Sequence, residues 1–164
     1  MDVRRFIKDS SEVYDIVFLD GFTPAKCPCI WTLDFFKALS THLTDNGIIV
    51  TYNTSAPVRN AMKLAGFFIG NTLDDNNKYI GTIAWKNSGI IINKLSDVQE
   101  GLLNTKAGIP YRDNDTLSYD NDTILLNRRA EVEVSDLITS SKYYSSIKQS
   151  SMSEDNIWKT NMTL

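Results

Sequence analysis

The chain has 164 residues, of which 42% are hydrophobic and 23% charged, and its formal net charge is −3 at pH 7. These proportions predict a soluble globular protein, either one domain or part of a larger one. The acidic balance excludes a protein coated in positive charge, so binding to nucleic acid has to depend on a local basic patch. No apolar run approaches the roughly 20 residues needed to cross a bilayer. The N-terminus also lacks the apolar stretch of a signal peptide, so we expect a cytoplasmic location.

Cysteine and histidine are too scarce to predict a metal site. Cys27 and Cys29 are the only cysteines, and His42 is the only histidine. A closed zinc site usually takes four ligands, so no metal is expected. The two cysteines are too close together for an ordinary structural disulfide, and we expect both to be reduced.

The first half of the chain alternates short helices with apolar strands. The predicted elements, in chain order, are a helix at Asp2–Lys8, a strand at Ile16–Leu19, a helix at Thr32–Leu43, a strand at Ile48–Tyr52, a helix ending near Ala65, and strands at Phe67–Ile69 and Tyr79–Trp85. The run at Ile16–Leu19 has no polar alternation, which is typical of a strand covered on both faces in a parallel sheet. The last two strands are separated by a polar connection and predict an antiparallel hairpin.

Helix patterns and stop signals complete this first half. Apolar faces are predicted at Val3, Phe6 and Ile7 in the first helix, and at Leu33, Phe36, Leu39 and Leu43 in the second. Asp45-Asn46-Gly47 is interpreted as a helix stop, and Gly66 as the end of the third helix. His42 is expected near a helix end, facing solvent or complementing the helix dipole.

Composition changes after Asn87. The predicted features are a strand at Gly89–Asn93, a helix at Ser96–Leu103 capped by Ser96, a loop at Lys106–Asp113, a helix at Asp120–Arg129 burying Ile124, Leu125 and Leu126, and a disordered tail from Ser145.

Asp20 is the residue with the clearest chemical potential. It ends the apolar run of the first strand, and Gly21 allows a sharp turn directly after it. A carboxylate at the carboxyl end of a buried parallel strand lies where open α/β sheets bind their ligands. From spacing alone, a turn-forming or helix-capping aspartate is an equally good interpretation. No glycine-rich GxGxxG or GxGxG turn occurs in the chain.

The segment FLDGFTPAK, with a tryptophan shortly after it, carries a resemblance to a known family. It resembles the methyltransferase domain of the MnmC family, enzymes that finish 5-methylaminomethyl-uridine at the wobble position of tRNA. The matching positions are Asp20, Gly21, Phe22, Pro24, Lys26, Pro28 and Trp31. Cys27 replaces the usual asparagine, and Cys29-Ile30 stand where an acidic residue and methionine are more usual. Further matches to the pattern GGxLATY…VRxxLxxAGF are Asn46-Gly47, Ile49–Tyr52, Val58-Arg59 and Ala65-Gly66-Phe67.

The resemblance implies an α/β fold, a partial Rossmann-like class I methyltransferase sheet (strands 4 to 7) with a C-terminal extension. Residues 1–87 correspond to the C-terminal half of the methyltransferase domain, 88–144 to a family-type extension and 145–164 to the tail. The family's first three strands, its glycine loop and the acidic residue that holds the ribose hydroxyls have no counterpart. We therefore expect an N-terminal half as partner, or self-association through the open sheet edge.

The resemblance also implies a function, a tRNA methyltransferase that N-methylates the aminomethyl group of wobble 5-aminomethyl-uridine. S-adenosylmethionine is the implied cofactor, with Asp2, Asp20 and Gly21 as its binding residues. Asp20 is the implied catalytic residue, because a carboxylate can orient the substrate ammonium and accept its proton. The implied substrate-binding residues are Phe22, Pro24, Lys26, Trp31 and Tyr52, with Asn53 as a further contact. A local basic patch for tRNA is predicted from Lys106, Arg112, Arg128 and Arg129.

Blander interpretations remain open for most of these residues. Phe22 and Trp31 fit plain core aromatics equally well, and Lys26 fits a solvated lysine. Scattered surface charge is the better interpretation of Arg128 and Arg129. A non-catalytic remnant or interaction module is the alternative function. A small-molecule aminopropyl- or methyltransferase is a third, against which the block after Asp20 argues.

Overall fold

The computed structural model describes residues 2–87 and 93–161, with side chains as far as residue 150. Its elements are α1 (Val3–Asp9), β1 (Tyr14–Phe18), α2 (Leu33–Thr41), β2 (Leu43–Thr51), α3 (Ala56–Leu64), β3 (Phe68–Leu73), β4 (Tyr79–Trp85), α4 (Asp97–Leu103), α5 (Asn121–Val134) and α6 (Ser140–Asn161), with 3-10 turns at Pro28–Ile30 and Lys106–Gly108. Of the strand predicted at Gly89–Asn93, only Asn93 lies within the described residues.

The four strands form one open sheet in the order β1-β2-β4-β3. β1 pairs in parallel with β2, and β4 pairs antiparallel with both β2 and β3. The mixed α/β fold with an open sheet is therefore as predicted, and so is the hairpin of its last two strands. Gly66, which has a φ of 95°, ends the helical stretch before β3 as expected.

Within residues 2–87 and 93–150, one face of the sheet is buried and the other is exposed mainly at the edge strand β1, since Trp85 on that face is 5% exposed. Ile49, Ala84 and Ile69 are register partners, are at most 6% exposed, and belong to the core that also contains α2 and α3. Successive strand residues alternate between faces, so the rows beside them face the opposite way. These rows are apolar and consist of Ile16, Ile48, Trp85 and Phe68, and of Phe18, Val50, Ile83 and Gly70.

In the described part of the chain, β1 lies at one edge of this sheet, and two of its apolar side chains are exposed. Ile16 is 50% and Phe18 75% exposed. The expected open sheet edge is found within residues 2–87 and 93–150, where β2 is the sole strand neighbour of β1. The expected coverage of this strand on both faces is wrong there, because the side that carries Ile16 and Phe18 is exposed. An edge of this kind is a template for pairing with another chain.

We expect the isolated chain to self-associate through this edge, and Phe18→Lys to shift it towards monomer. Lysine at an edge strand places a charge where a second chain would have to bury it. Light scattering at increasing protein concentration measures the change. Val134→Lys is the matched control, because Val134 is 82% exposed on α5, away from the sheet. A monodisperse monomer for the unmodified chain would contradict the prediction.

Several local predictions are wrong for identifiable reasons. The buried face of α1 carries Arg4 and Ile7, whereas Val3 and Phe6 are 41% and 40% exposed. Helix α2 ends before Leu43, which is buried within β2. Leu126 is 66% exposed, because α5 buries only the side of Ile124.

The predicted helix stop at Asp45-Asn46-Gly47 is instead an irregularity inside β2. While β1 advances from Tyr14 to Ile16, its partner advances from Leu43 to Ile48, so the extra residues bulge out of the ladder. A Cβ on Gly47 would lie 2.8 Å from the Leu43 Cβ, so glycine permits this close approach.

The segment from Ser145 to Asn161, predicted as disordered, continues helix α6. Its lysine, glutamine, methionine and glutamate residues have good helix propensity, which the serine-rich composition obscured.

Arg59 ties α3 to the β3–β4 hairpin. It is 3% exposed, and its guanidinium donates to Thr82 Oγ1 (2.8 Å), Asn71 Oδ1 (2.8 Å) and the Gly81 carbonyl (3.2 Å). Burial lowers the pKa of Arg59. The hairpin and α3 therefore share one buried polar connection.

The C-terminal part of the chain docks onto α2 and α3. The Leu33 amide donates to the Tyr111 carbonyl (2.9 Å), and Asn60 Nδ2 donates to the Gly108 carbonyl (2.8 Å). Helix α4 begins at the predicted cap, where Ser96 and Gln99 form a capping box.

Candidate functional site

Asp20 follows β1 at the carboxyl end of the parallel strand pair. The Leu19 amide still donates to the Val50 carbonyl (2.9 Å), and Asp20 is the next residue, with an exposed side chain. Within residues 2–87 and 93–150, no group hydrogen-bonds its carboxylate. The carboxylate is therefore open to a ligand at the sheet edge.

Two aromatic side chains hold the loop after Asp20. The Tyr52 hydroxyl donates to the Gly21 carbonyl (2.7 Å), and Trp31 Nε1 donates to the Phe22 carbonyl (2.7 Å). The two rings meet edge to face, with centroids 6.1 Å apart. A Cβ on Gly21 would lie 2.0 Å from Ile30 Cδ1, so a larger residue here would require the end of the Ile30 side chain to move.

The predicted substrate residues occupy different places around this loop. Phe22 is 76% exposed, whereas Trp31 is fully buried and supports the loop from beneath. Pro24 and Tyr52 line a groove of about 430 Å³. Lys26 is exposed and does not line that groove.

Tyr111 also lines this groove, and beyond its place in the KAGIPYRD segment no sequence pattern predicted it there. Arg128 lies over its ring at 4.8 Å and donates to the Ile109 carbonyl (2.8 Å). These contacts hold the Tyr111 segment against the groove.

Asn53 also lines the groove, but its Oδ1 accepts hydrogen bonds from the Ser55 amide and hydroxyl at 2.9 and 2.7 Å. It therefore orders the start of α3.

The carboxylate of Asp2 is engaged within the chain. Asp2 caps α1 and accepts from the Arg4 amide (2.9 Å), Nε and Nη2 (2.8 Å). The hydrogen bonds from Arg4 hold the pKa of Asp2 below its usual value, against the opposing effect of burial. Arg4 also donates to Asp113 Oδ2 (2.6 Å) and to the Tyr119 carbonyl (2.8 Å).

This arrangement predicts an acid-dependent loss of stability. A carboxylate whose pKa is lower in the folded than in the unfolded chain contributes stability above the unfolded value of 3.8. That contribution is lost as the pH falls through the folded pKa. We therefore expect Asp2→Asn, which retains a good helix cap, to show a shallower decline in unfolding free energy between about pH 4 and pH 2. Urea unfolding across that range measures it, and parallel declines in both proteins would contradict it.

The predicted basic patch is not assembled as a free surface. Arg112 pairs with Glu131 at 3.2 Å, and Arg128 is engaged by the Tyr111 segment as described. Lys106 is half-buried, and Arg129 is exposed.

Other binding chemistries find little support in the described residues. There, no three or more His, Cys, Asp or Glu side chains are grouped as a metal site would require. No helix within residues 2–87 and 93–161 is both long enough and apolar enough to cross a membrane.

Comparison with known proteins identifies the family. Residues 1–87 match the family described as S-adenosyl-L-methionine-dependent methyltransferase, a match that spans more than half of the chain. The chain belongs to this methyltransferase family. The predicted MnmC-like recognition is confirmed by matches to proteins named tRNA 5-methylaminomethyl-2-thiouridine biosynthesis bifunctional protein MnmC. The one from Burkholderia vietnamiensis is 35% identical over 66 residues, which are 40% of this chain and 10% of that protein.

Two longer matches place this methyltransferase among its relatives. An uncharacterized protein of Methanocaldococcus jannaschii is 34% identical over 159 residues, which cover 94% of this chain and 44% of the relative. The crystal structure of MNMC2 from Aquifex aeolicus superposes with a TM-score of 0.73 at 28% identity, covering 81% of this chain and 43% of that one. The chain thus spans less than half the length of these relatives.

The family implies S-adenosylmethionine as cofactor, and the described residues fit it in part. Asp20 and Gly21 lie at the strand end where open α/β sheets bind ligands, and the Asp20 carboxylate is open. Both carboxylate oxygens of Asp2 accept from Arg4, and its side chain is 36% exposed, so its contact with the adenine stays a prediction.

Proposed function

We propose that this chain forms the substrate-facing half of a methyltransferase that N-methylates the aminomethyl group of wobble 5-aminomethyl-uridine in tRNA. The observation that carries the proposal is the open carboxylate of Asp20, which directly precedes the Gly21 carbonyl that Tyr52 of the groove holds. The names of the MnmC relatives, which refer to 5-methylaminomethyl-2-thiouridine of tRNA, support the substrate class.

In this proposal Asp20 orients the substrate amine and accepts its proton. A primary amine is protonated in neutral water, and an ammonium nitrogen has no lone pair with which to attack a methyl group. A carboxylate within hydrogen-bond reach both fixes the nitrogen and takes up the proton. S-adenosylmethionine, when bound, supplies the methyl group.

The loop after Asp20 positions the base. Phe22, which is 76% exposed, offers a free aromatic face on which a splayed-out uridine can stack. Tyr52 and Trp31 hold the Gly21 and Phe22 carbonyls, so the loop that carries this face is fixed relative to Asp20. Correct placement is the main contribution a methyltransferase makes to rate.

The experiment supplies the chain with the first strands of the methyltransferase fold, for which it has no counterpart. A chimera fuses the first strands and glycine loop of the Aquifex aeolicus relative to Met1–Leu164, and we call it the joined protein. It is incubated with labelled S-adenosylmethionine and with tRNA that carries 5-aminomethyl-uridine. Label in that nucleoside supports the proposal. A joined protein that folds and binds the cofactor but labels no tRNA contradicts it.

A non-catalytic interaction module is the second candidate, favoured by two observations. The Asp2 carboxylate is engaged by Arg4, and the apolar side chains of Ile16 and Phe18 on the edge strand β1 are exposed. Labelling of tRNA by the joined protein, measured beside calorimetric titration with S-adenosylmethionine, separates the two candidates. Label in tRNA favours the enzyme, and binding heat without label in a folded joined protein favours the module.

A further inference from the structure

Cys27 and Cys29 form a pair that the proposed function does not use. They are the only cysteines in the chain, and their Sγ atoms lie 3.5 Å apart. Both are free thiols with partly exposed side chains. Both stand where the MnmC pattern has other residues, so the pair is a feature of this chain.

The geometry brings the two sulfurs close to bonding distance. A disulfide is about 2.05 Å long, so a relative movement of roughly 1.5 Å is sufficient to join them. Pro28 lies between the cysteines, in the 3-10 turn, and its ring fixes one backbone dihedral of the connecting residue. Because a single residue separates the cysteines, little chain entropy opposes closure.

The two cysteines differ in how firmly they are held. Cys29 packs against the core, its amide donates to Asn121 Oδ1 (3.4 Å), and its carbonyl accepts from Thr32 Oγ1 (3.5 Å). Burial and the hydrogen bond with Cys27 raise the pKa of the Cys29 thiol to about 11. Cys27 instead ends an exposed turn, in which its amide donates to the Thr23 carbonyl (2.9 Å). Closure of the pair therefore displaces the turn at Thr23–Cys27.

We propose that Cys27 and Cys29 are a redox-active dithiol, which a low-molecular-weight disulfide such as glutathione disulfide oxidises to a disulfide within the loop. The Cys27 thiolate attacks one sulfur of the reagent, forming a mixed disulfide and releasing one small thiol. Cys29 then loses its proton to solvent, attacks Cys27 Sγ and expels the second small thiol. The two cysteines lose two protons and two electrons in total, which the reagent gains as it becomes two thiols.

Oxidation of this dithiol reshapes the groove. The displaced turn contains Pro24, which lines the groove beside Tyr52. A disulfide in so short a ring is strained and readily reduced, which is typical of regulatory rather than structural bonds. The inference depends on the loop geometry alone and does not require the proposed tRNA chemistry.

The test uses the 164-residue chain as it is. Reduced protein is incubated with glutathione disulfide, the reaction is quenched with acid, and the mass of the intact chain is measured by mass spectrometry. We expect a product that has lost two hydrogens and retains no glutathione, and that reverts with reduced glutathione. Cys29→Ser is expected to retain one glutathione on Cys27, because the resolving thiol is absent. Glutathione adducts that persist on the unmodified chain, a disulfide-linked dimer or no reaction would each overturn the proposal.

Two controls test the contribution of the fold. The same reaction in urea measures the unfolded chain, and we expect the folded chain to reach a larger oxidised fraction at the same glutathione ratio. An equal or smaller fraction would overturn the inference that the fold brings the two sulfurs together. Amide chemical shifts of the oxidised and reduced chain are then compared, and shifts at residues 23–27 that Cys27→Ser abolishes support the movement of the turn. Unchanged shifts there would overturn it.

Discussion

Asp20→Asn is expected to lower the rate of methyl transfer by the joined protein by roughly 10²–10⁴-fold, the range typical of a lost general base. Asparagine keeps the size and shape of the side chain but accepts no proton at neutral pH. The substrate amine then stays protonated and cannot attack. Single-turnover transfer of label to tRNA measures the rate without interference from product release.

This prediction separates chemistry from folding. Asp20 is exposed, and no hydrogen bond to its carboxylate occurs within residues 2–87 and 93–150, so the variant should unfold at the same urea concentration as its parent. Asp75→Asn is the matched control, because Asp75 is exposed in the connection between β3 and β4. A rate within a few-fold of the parent would remove Asp20 from the proton-accepting role. Raising the pH should restore part of the variant's rate, since an amine that is already deprotonated in solution needs no acceptor.

Arg4→Met is expected to lower the unfolding free energy by about 3–5 kcal/mol, the usual effect of removing one partner from a buried ion pair. The side chains of Arg4 and Asp113 are 9% and 0% exposed, and their atoms Nη1 and Oδ2 lie 2.6 Å apart. Burial disfavours the charge of Arg4, but its hydrogen bonds with Asp2 and Asp113 outweigh that effect and raise its pKa. Methionine would leave the Asp113 carboxylate buried without its cation.

Urea unfolding followed by circular dichroism tests this prediction. Arg5→Met is the matched control on the same helix, because Arg5 is exposed. The double variant Arg4→Met/Asp113→Asn should recover part of the loss, since it removes the stranded charge as well. Equal stabilities of the Arg4 and Arg5 variants would contradict the prediction. If Arg4→Met does not fold, Arg4→Lys provides the measurement, because lysine keeps the charge but not the bidentate geometry.

The strands were predictable because their signals are local. The apolar run before Asp20 and the run at Ile48–Tyr52 mark β1 and β2, and the polar connection before Tyr79 marks the hairpin. Ser96 and Gly66 are capping signals that depend only on their immediate neighbours. The match of residues 1–87 to the methyltransferase family then confirms the fold to which these elements belong.

The errors occur where a distant partner decides the outcome. Periodicity assigned Val3 and Phe6 to the buried face of α1, but Asp113 draws Arg4 inward from more than a hundred positions away. Asp45-Asn46-Gly47 has the composition of a helix stop, and only pairing with β1 shows that it bulges within a strand. Local composition carries no information about either partner.

The same limit applies to the candidate site. The motif identified Asp20, Pro24 and Tyr52, but it did not show that Trp31 supports the loop from the core. Tyr111 could not be predicted at the groove, because its place depends on how the C-terminal segment crosses α2. The role of Asp20 itself stays a prediction until the joined protein is assayed.

The buried guanidinium of Arg59 constrains how this chain and its homologues can diverge. Its donors are matched to the oxygens of Asn71 and Thr82 on two neighbouring strands, and a lysine cannot reproduce that planar fork. A single replacement at any of the three positions strands a polar atom in the interior. Positions 59, 71 and 82 should therefore covary, so that homologues keep the whole trio or exchange it together for apolar side chains.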